Sequence, residues 1–146
     1  MRDELLELTL SDNIRNKALH DFNGELAWKR TDIPEVLNGL IEKQYSIIGI
    51  ELWAAKTYDE SDRLESMKVL FLNVSGIIKG KLPLKDGSAK AFRDFFEPKE
   101  NETYTEFVKS SSIDATASIN RMNAEFFIAT EFETKLFYHL IFTDEF

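Results

Sequence analysis

Between positions 33 and 44 the apolar residues fall at Ile33, Val36, Leu37, Leu40 and Ile41. This i, i+3, i+4, i+7, i+8 spacing lays one stripe along the face of a helix. Asp32 with Glu35 has the form of a capping box, and Pro34 suits a first turn. Gly39 costs about 1 kcal/mol inside such a helix, which predicts that another element packs closely against it. The period then drops to two. From Tyr45 to Ala55, Ile48, Ile50 and Leu52 alternate with Ile47, Glu51 and Trp53, and β-branched and aromatic residues dominate. This predicts a strand with those two sets on opposite faces.

The flanking pattern is less regular. Ser11 and Asp12 head a predicted helix in which Ile14, Ala18 and Phe22 recur every four residues, with Gly24 as its stop. Leu5, Leu6 and Leu8 suit a short helix before it. A polar interval, Tyr58 to Arg63, leads to a second apolar run, Met67 to Val74, read as a strand that Ile77-Ile78 extend or follow. Lys85-Asp86-Gly87 marks a turn. Ser88 caps a predicted helix over 89–97, with Ala91, Phe92, Phe95 and Phe96 on one face and Pro98 ending it. A further helix is expected over 102–110, with Tyr104, Phe107 and Val108 inward, while 111–123 shows no decided period. Glu125–Glu131 and Leu136–Thr143 read as a hairpin turning near Glu133-Thr134-Lys135. Helices and strands come in unequal blocks without β-α-β alternation. The expectation is a single α+β domain over residues 1–146, an antiparallel or mixed sheet with helices packed mainly on one face.

Composition sharpens this picture. Twelve Phe, four Tyr and two Trp among 146 residues predict an aromatic core, and 43% apolar with 30% charged residues excludes a disordered chain. No stretch has the roughly 20 apolar residues a membrane span needs. The acidic start Arg2-Asp3-Glu4 is unlike a secretory leader, so a cytoplasmic location is expected. The absence of Cys excludes disulfides, thiol catalysis and thiolate metal sites. Against 18 basic residues stand 26 acidic ones, a net charge of −8. Such a field repels nucleic-acid phosphate and anionic membrane and attracts a cationic partner, besides serving solubility.

Chemistry-bearing motifs are sparse. His20 falls on the predicted first helix and His139 on the last strand, neither in a local pattern that pairs a nucleophile with an oriented base. Glu51 and the group Asp59, Glu60, Asp62 and Glu65 supply carboxylates for acid–base work, but in so acidic a chain adjacency carries little information. Asp59, Ser61 and Arg63 do not make a calcium loop, since no Gly follows. The glycines of Ser75–Lys81 match neither a Walker loop nor a dinucleotide fingerprint. Lys79, Lys81 and Lys85 form the one basic stretch, too short for a nucleic-acid footprint. Trp53 is expected in the core. Trp28, flanked by charges, either closes the core or anchors an interface. No metal, cofactor or catalytic residue is expected.

The run Leu26-Ala27-Trp28, the helix end Leu40–Gln44 and the strand Ser46–Trp53 resemble the N-terminal part of immunity protein family 40. The closing segment Leu136–Phe142 resembles the way those proteins end, so the resemblance covers about half the chain. Where that family prefers a Gly-Gly-Asp type of segment, this chain has Gly49-Ile50-Glu51. The resemblance implies a non-enzymatic protein that binds and neutralises a toxin domain, often a basic nuclease. On that reading Asp59, Glu60 and Asp62 steer the partner, and Tyr58, Glu51 and Trp28 contact it. Two other classes stay open: a small hydrolase or transferase built on His139, Glu51 and a Tyr, and a small-molecule binder in which Phe92, Phe95 and Phe96 line a cavity.

Overall fold

The computed structural model describes residues 6–20, 23–56, 77–129 and 134–146. A 3-10 turn, Leu6–Thr9, precedes helix α1, Asp12–Lys17, whose N-cap Ser11 accepts the Ile14 N–H at 3.3 Å. The helix does not run on to Gly24. Ala18 is already extended, and Leu19–His20 form strand β1, paired antiparallel with β2, Leu26–Trp28. Ladder pairing of Leu19 with Ala27 outweighs the four-residue repeat, and Phe22 lies outside the described residues.

Helix α2 spans Ile33–Glu42 and buries Ile33, Val36, Leu37 and Leu40. The expected capping box is absent. A 3-10 turn over Arg30–Asp32 puts Asp32 in a helical conformation, where its side chain caps nothing. Glu35 instead reaches α1, accepting from Asn13 at 2.6 Å and from Lys17 at 2.9 and 3.0 Å. The two helices touch closely at Gly39, where an added Cβ would stand 2.4 Å from Ile14 Cδ1. A Schellman motif ends α2: Tyr45 N–H donates to Leu40 O and Gln44 N–H to Ile41 O, with Gln44 at φ +60°.

The long strand β3, Ser46–Lys56, pairs antiparallel with β8, Thr134–Thr143, to form the centre of the sheet. The order is β1-β2-β8-β3, and β3's far edge is shared by β4, Ile77–Ile78, and β7, Arg93–Phe95. All these pairings are antiparallel. A bulge between Ile47 and Gly49 shifts the alternation expected from a regular strand. Ile47 therefore joins Ile50 and Leu52 in the main core, while Glu51 and Trp53 share the opposite face with Phe137 and His139.

The segment predicted as an aromatic helix is strand. β5, Lys81–Pro83, and β6, Ala89–Ala91, form a two-stranded sheet closed by the Asp86-Gly87 turn, and β7 follows directly. Turn chemistry decided the outcome: Phe92 points inward, edge-on to Phe126 at 5.9 Å, and Phe96 packs half-buried against the same core. Phe95 is 67% exposed and lies over Gly49.

A single 26-residue helix, α3, covers Tyr104–Ala129. It absorbs the undecided stretch and also Glu125–Ala129, expected as a strand. Its buried stripe of Val108, Ser111, Ala115, Ser118, Ile119, Met122 and Phe126 packs on β3 and α2. Thr103 and Glu106 form a reciprocal capping box at its start. The architecture is an α+β domain with an antiparallel sheet, and the helices pack with the Ile50/Leu52 face into one core. No helix among the described residues is long and apolar enough to cross a membrane.

Candidate protein-binding surface

Of the contact residues expected from sequence, Tyr58, Asp59, Glu60 and Asp62 lie outside the described residues. Trp28 is in the core, not at an interface. It is fully buried opposite Tyr138, and its indole Nε1–H donates to Ile14 O at 2.9 Å, tying the sheet to α1. A partner therefore has no access to it. Glu51 is largely enclosed, with its side chain 14% exposed. It accepts from Trp53 Nε1 at 2.9 Å and from Arg93 Nη2 at 2.5 Å. Burial by itself would raise its carboxyl. The Trp53 and Arg93 hydrogen bonds, with the charge of Arg93 and the neighbouring His139, outweigh burial and hold it below the ordinary value.

His139 faces Glu51 across the β3–β8 ladder. Its ring stacks on Trp53 with centroids 4.8 Å apart, and its Nδ1 lies 2.8 Å from Leu26 O. A carbonyl only accepts, so Nδ1 carries the proton and Nε2 faces Glu25 Oε2 at 3.4 Å. Lys79 closes the group, 4.0 Å from the Trp53 ring centroid and 3.7 Å from Glu25. His139 and Glu51 are brought together, as a hydrolytic site would require, but His139 is only 4% exposed and both are committed to internal partners. His20 is on strand β1, not a helix, with Nε2 held 3.1 Å from Arg15 O. The Phe92, Phe95 and Phe96 side chains do not share one face: Phe92 fills the core, Phe96 packs half-buried against it and Phe95 faces out. Among the described residues, no group of three His, Asp or Glu is placed to hold a metal ion.

A different region gathers aromatic side chains, from buried Phe107 and Phe142 to exposed Phe146, beside acidic ones, and the bulge in β3 explains why. The start of that strand needs partners its neighbours do not supply. Ser111 Oγ accepts the Ile47 N–H at 3.0 Å. The Tyr104 hydroxyl accepts from Ser46 N–H at 3.2 Å and donates to Gln44 O or Thr143 O, at 2.8 and 2.9 Å. The N-terminus of α3 is thereby fixed against the ends of β3 and β8. Around it, Tyr45 stacks on Phe142 at 5.6 Å and its hydroxyl meets Thr9 Oγ1 at 2.7 Å. Phe146, 66% exposed, stands edge-on to Tyr104 at 5.2 Å and tilted against Phe107 at 6.0 Å.

Six carboxylates lie within two positions of these contact residues: Glu7, Glu42, Glu102, Glu106, Asp144 and Glu145, all at least partly exposed. Only Lys43 and Lys109 oppose them at the same spacing. Glu102 accepts the Lys99 N–H at 3.0 Å; that bond, with the Ser110 hydroxyl, lowers its carboxyl below the ordinary value and keeps it charged. Sequence reading missed this surface because it is assembled from four separated segments. Its one local signal is the closing aromatic beside Asp144-Glu145.

No family model matches the chain, and no curated protein or solved structure shows significant similarity to it.

Proposed function

We propose that this chain is a non-enzymatic, cytoplasmic binding protein that neutralises a cationic protein domain by stoichiometric contact, the role of an immunity protein. The observation that carries the reading is the aromatic end where exposed Phe146 stands against half-buried Tyr104 and half-buried Tyr45 covers Phe142, with six carboxylates within two chain positions of the contact residues. Aromatic side chains supply affinity once water is excluded, and surrounding charge of one sign supplies steering and orientation. A net charge of −8 extends the same field over the molecule. The resemblance of the Leu26–Trp53 region to immunity protein family 40 adds the class of partner, a basic toxin domain. Asp59, Glu60 and Asp62 belong to the proposal as further steering charges.

The test uses the cationic C-terminal domain of a secreted protein encoded beside this chain. Glu42 and Glu145 are exposed, so Glu42→Lys with Glu145→Lys leaves the core untouched. Association of the double variant is expected to be about tenfold slower at low salt, with the difference shrinking as ionic strength rises. Equal rates at every salt concentration, or the lack of such a neighbouring domain, overturn the proposal.

A further inference from the structure

A groove of about 480 Å³ runs between α2 and α3, apart from the aromatic end. Its floor is apolar, made by the buried Ile33, Leu37 and Ile119. Two polar features stand over that floor. The first is the Arg30 guanidinium, held by Nη2 and Nε at 2.8 and 3.3 Å from Asn120 Oδ1. Arg30 is exposed, and among the described residues it makes no ion pair with a carboxylate, so a neutral amide positions its charge at the groove's edge. The second is Ser112, 8% exposed, whose hydroxyl has no hydrogen-bond partner among the described residues although the residue lines the groove. Its oxygen is not among the enclosed unpartnered atoms of the described residues, Arg15 Nε and Ser46 Oγ, so it opens to the groove, where a ligand atom can replace water as its partner.

We propose that this groove binds a small monocarboxylic acid with a short apolar body. The carboxylate accepts charge-assisted hydrogen bonds from Arg30 and a bond from the Ser112 hydroxyl, and the apolar body covers Ile33, Leu37 and Ile119. One guanidinium balances one negative charge. A phosphate dianion would leave charge uncompensated, and a cation would meet Arg30. The volume is within the range of small-molecule sites.

The experiment is a ¹H–¹⁵N titration of the whole chain with 3-phenylpropanoate, with 3-phenylpropanamide as the neutral isostere. For a probe of this size a Kd on the order of 1 mM is expected, with shifts centred on the amides of Arg30, Leu37, Ser112 and Asn120. Arg30→Gln is expected to weaken binding about tenfold or more, and the amide probe by a similar factor. Ser112→Ala removes a hydroxyl without a protein partner, so it folds normally and weakens binding several-fold. Equal affinity for acid and amide overturns the proposal, as does unchanged binding in Arg30→Gln. So does the absence of saturable groove shifts up to about 20 mM, far above the expected constant. None of these outcomes bears on the aromatic end, so either proposal can fail alone.

Discussion

Replacing Ser111 with Ala deletes one oxygen atom from a fully buried position. That oxygen accepts the Ile47 N–H at 3.0 Å and donates to Val108 O at 3.2 Å. Ile47 is 1% exposed and sits at the bulge, so water does not readily replace the lost acceptor. Leaving a buried donor unmade costs about 1–3 kcal/mol. Ala gains about 0.5 kcal/mol over Ser as a helix former, so the net loss is about 0.5–2.5 kcal/mol. For a chain of this length the midpoint of thermal unfolding falls by about 2–8 °C. Urea unfolding is expected to show a lower midpoint with unchanged slope, because the surface exposed on unfolding is the same. Hydrogen exchange at Ile47 should accelerate ahead of its neighbours in β3. Ser112→Ala, one residue on, is the control: its hydroxyl has no protein partner, so the helix gain appears alone as a few tenths of a kcal/mol of stabilisation. If Ser111→Ala matches that control, the side chain does not repair the bulge and the account of how α3 is fixed to β3 is wrong.

Gln44 occupies a left-handed conformation at φ +60°. Gln44→Gly is expected to stabilise by about 0.5–1 kcal/mol, read from chemical denaturation, provided the Schellman bonds persist. Glu51 has a lowered carboxyl value in the fold, so the unfolded chain takes up its proton first as pH falls. Its contribution is complete above the ordinary carboxylate range and disappears as pH drops through the folded value. Glu51→Gln should flatten the acid limb of the stability–pH curve over that window, and an unchanged limb would refute the assignment. Gly39→Val adds methyl groups where even an added Cβ would stand 2.4 Å from Ile14 Cδ1. A loss of about 1–3 kcal/mol is expected from overpacking, measured by thermal melting.

The α+β class was legible because α2 and β3 each carry a strong, unmixed period. The stripe of Ile33, Val36, Leu37 and Leu40 needs no tertiary information, and neither does the close approach at Gly39. α3 was harder because Ser111, Ser118 and Ala115 occupy its buried face, and small polar residues look like solvent positions until their partners are known. The Phe92–Phe96 segment misled for the opposite reason. Its aromatics are dense enough to mimic a helical face, yet the Asp86-Gly87 turn commits the chain to a hairpin, and Phe92 and Phe95 part to opposite sides. Trp28 could not be placed because flanking charges describe its neighbours, not the burial of β2 beneath α1. The aromatic end is least legible of all: the Tyr104 hydroxyl joins backbone groups 39 to 60 positions away.

The proposed role rests on a place where a partner docks. Amide chemical shifts followed while the purified cationic domain is added at low salt locate that place directly. The account predicts perturbations concentrated at residues 42–46, 102–107 and 143–146, fading as salt is raised. Perturbations confined to the Arg30–Asn120 groove or the β5–β6 hairpin, or none at saturating domain, would contradict it.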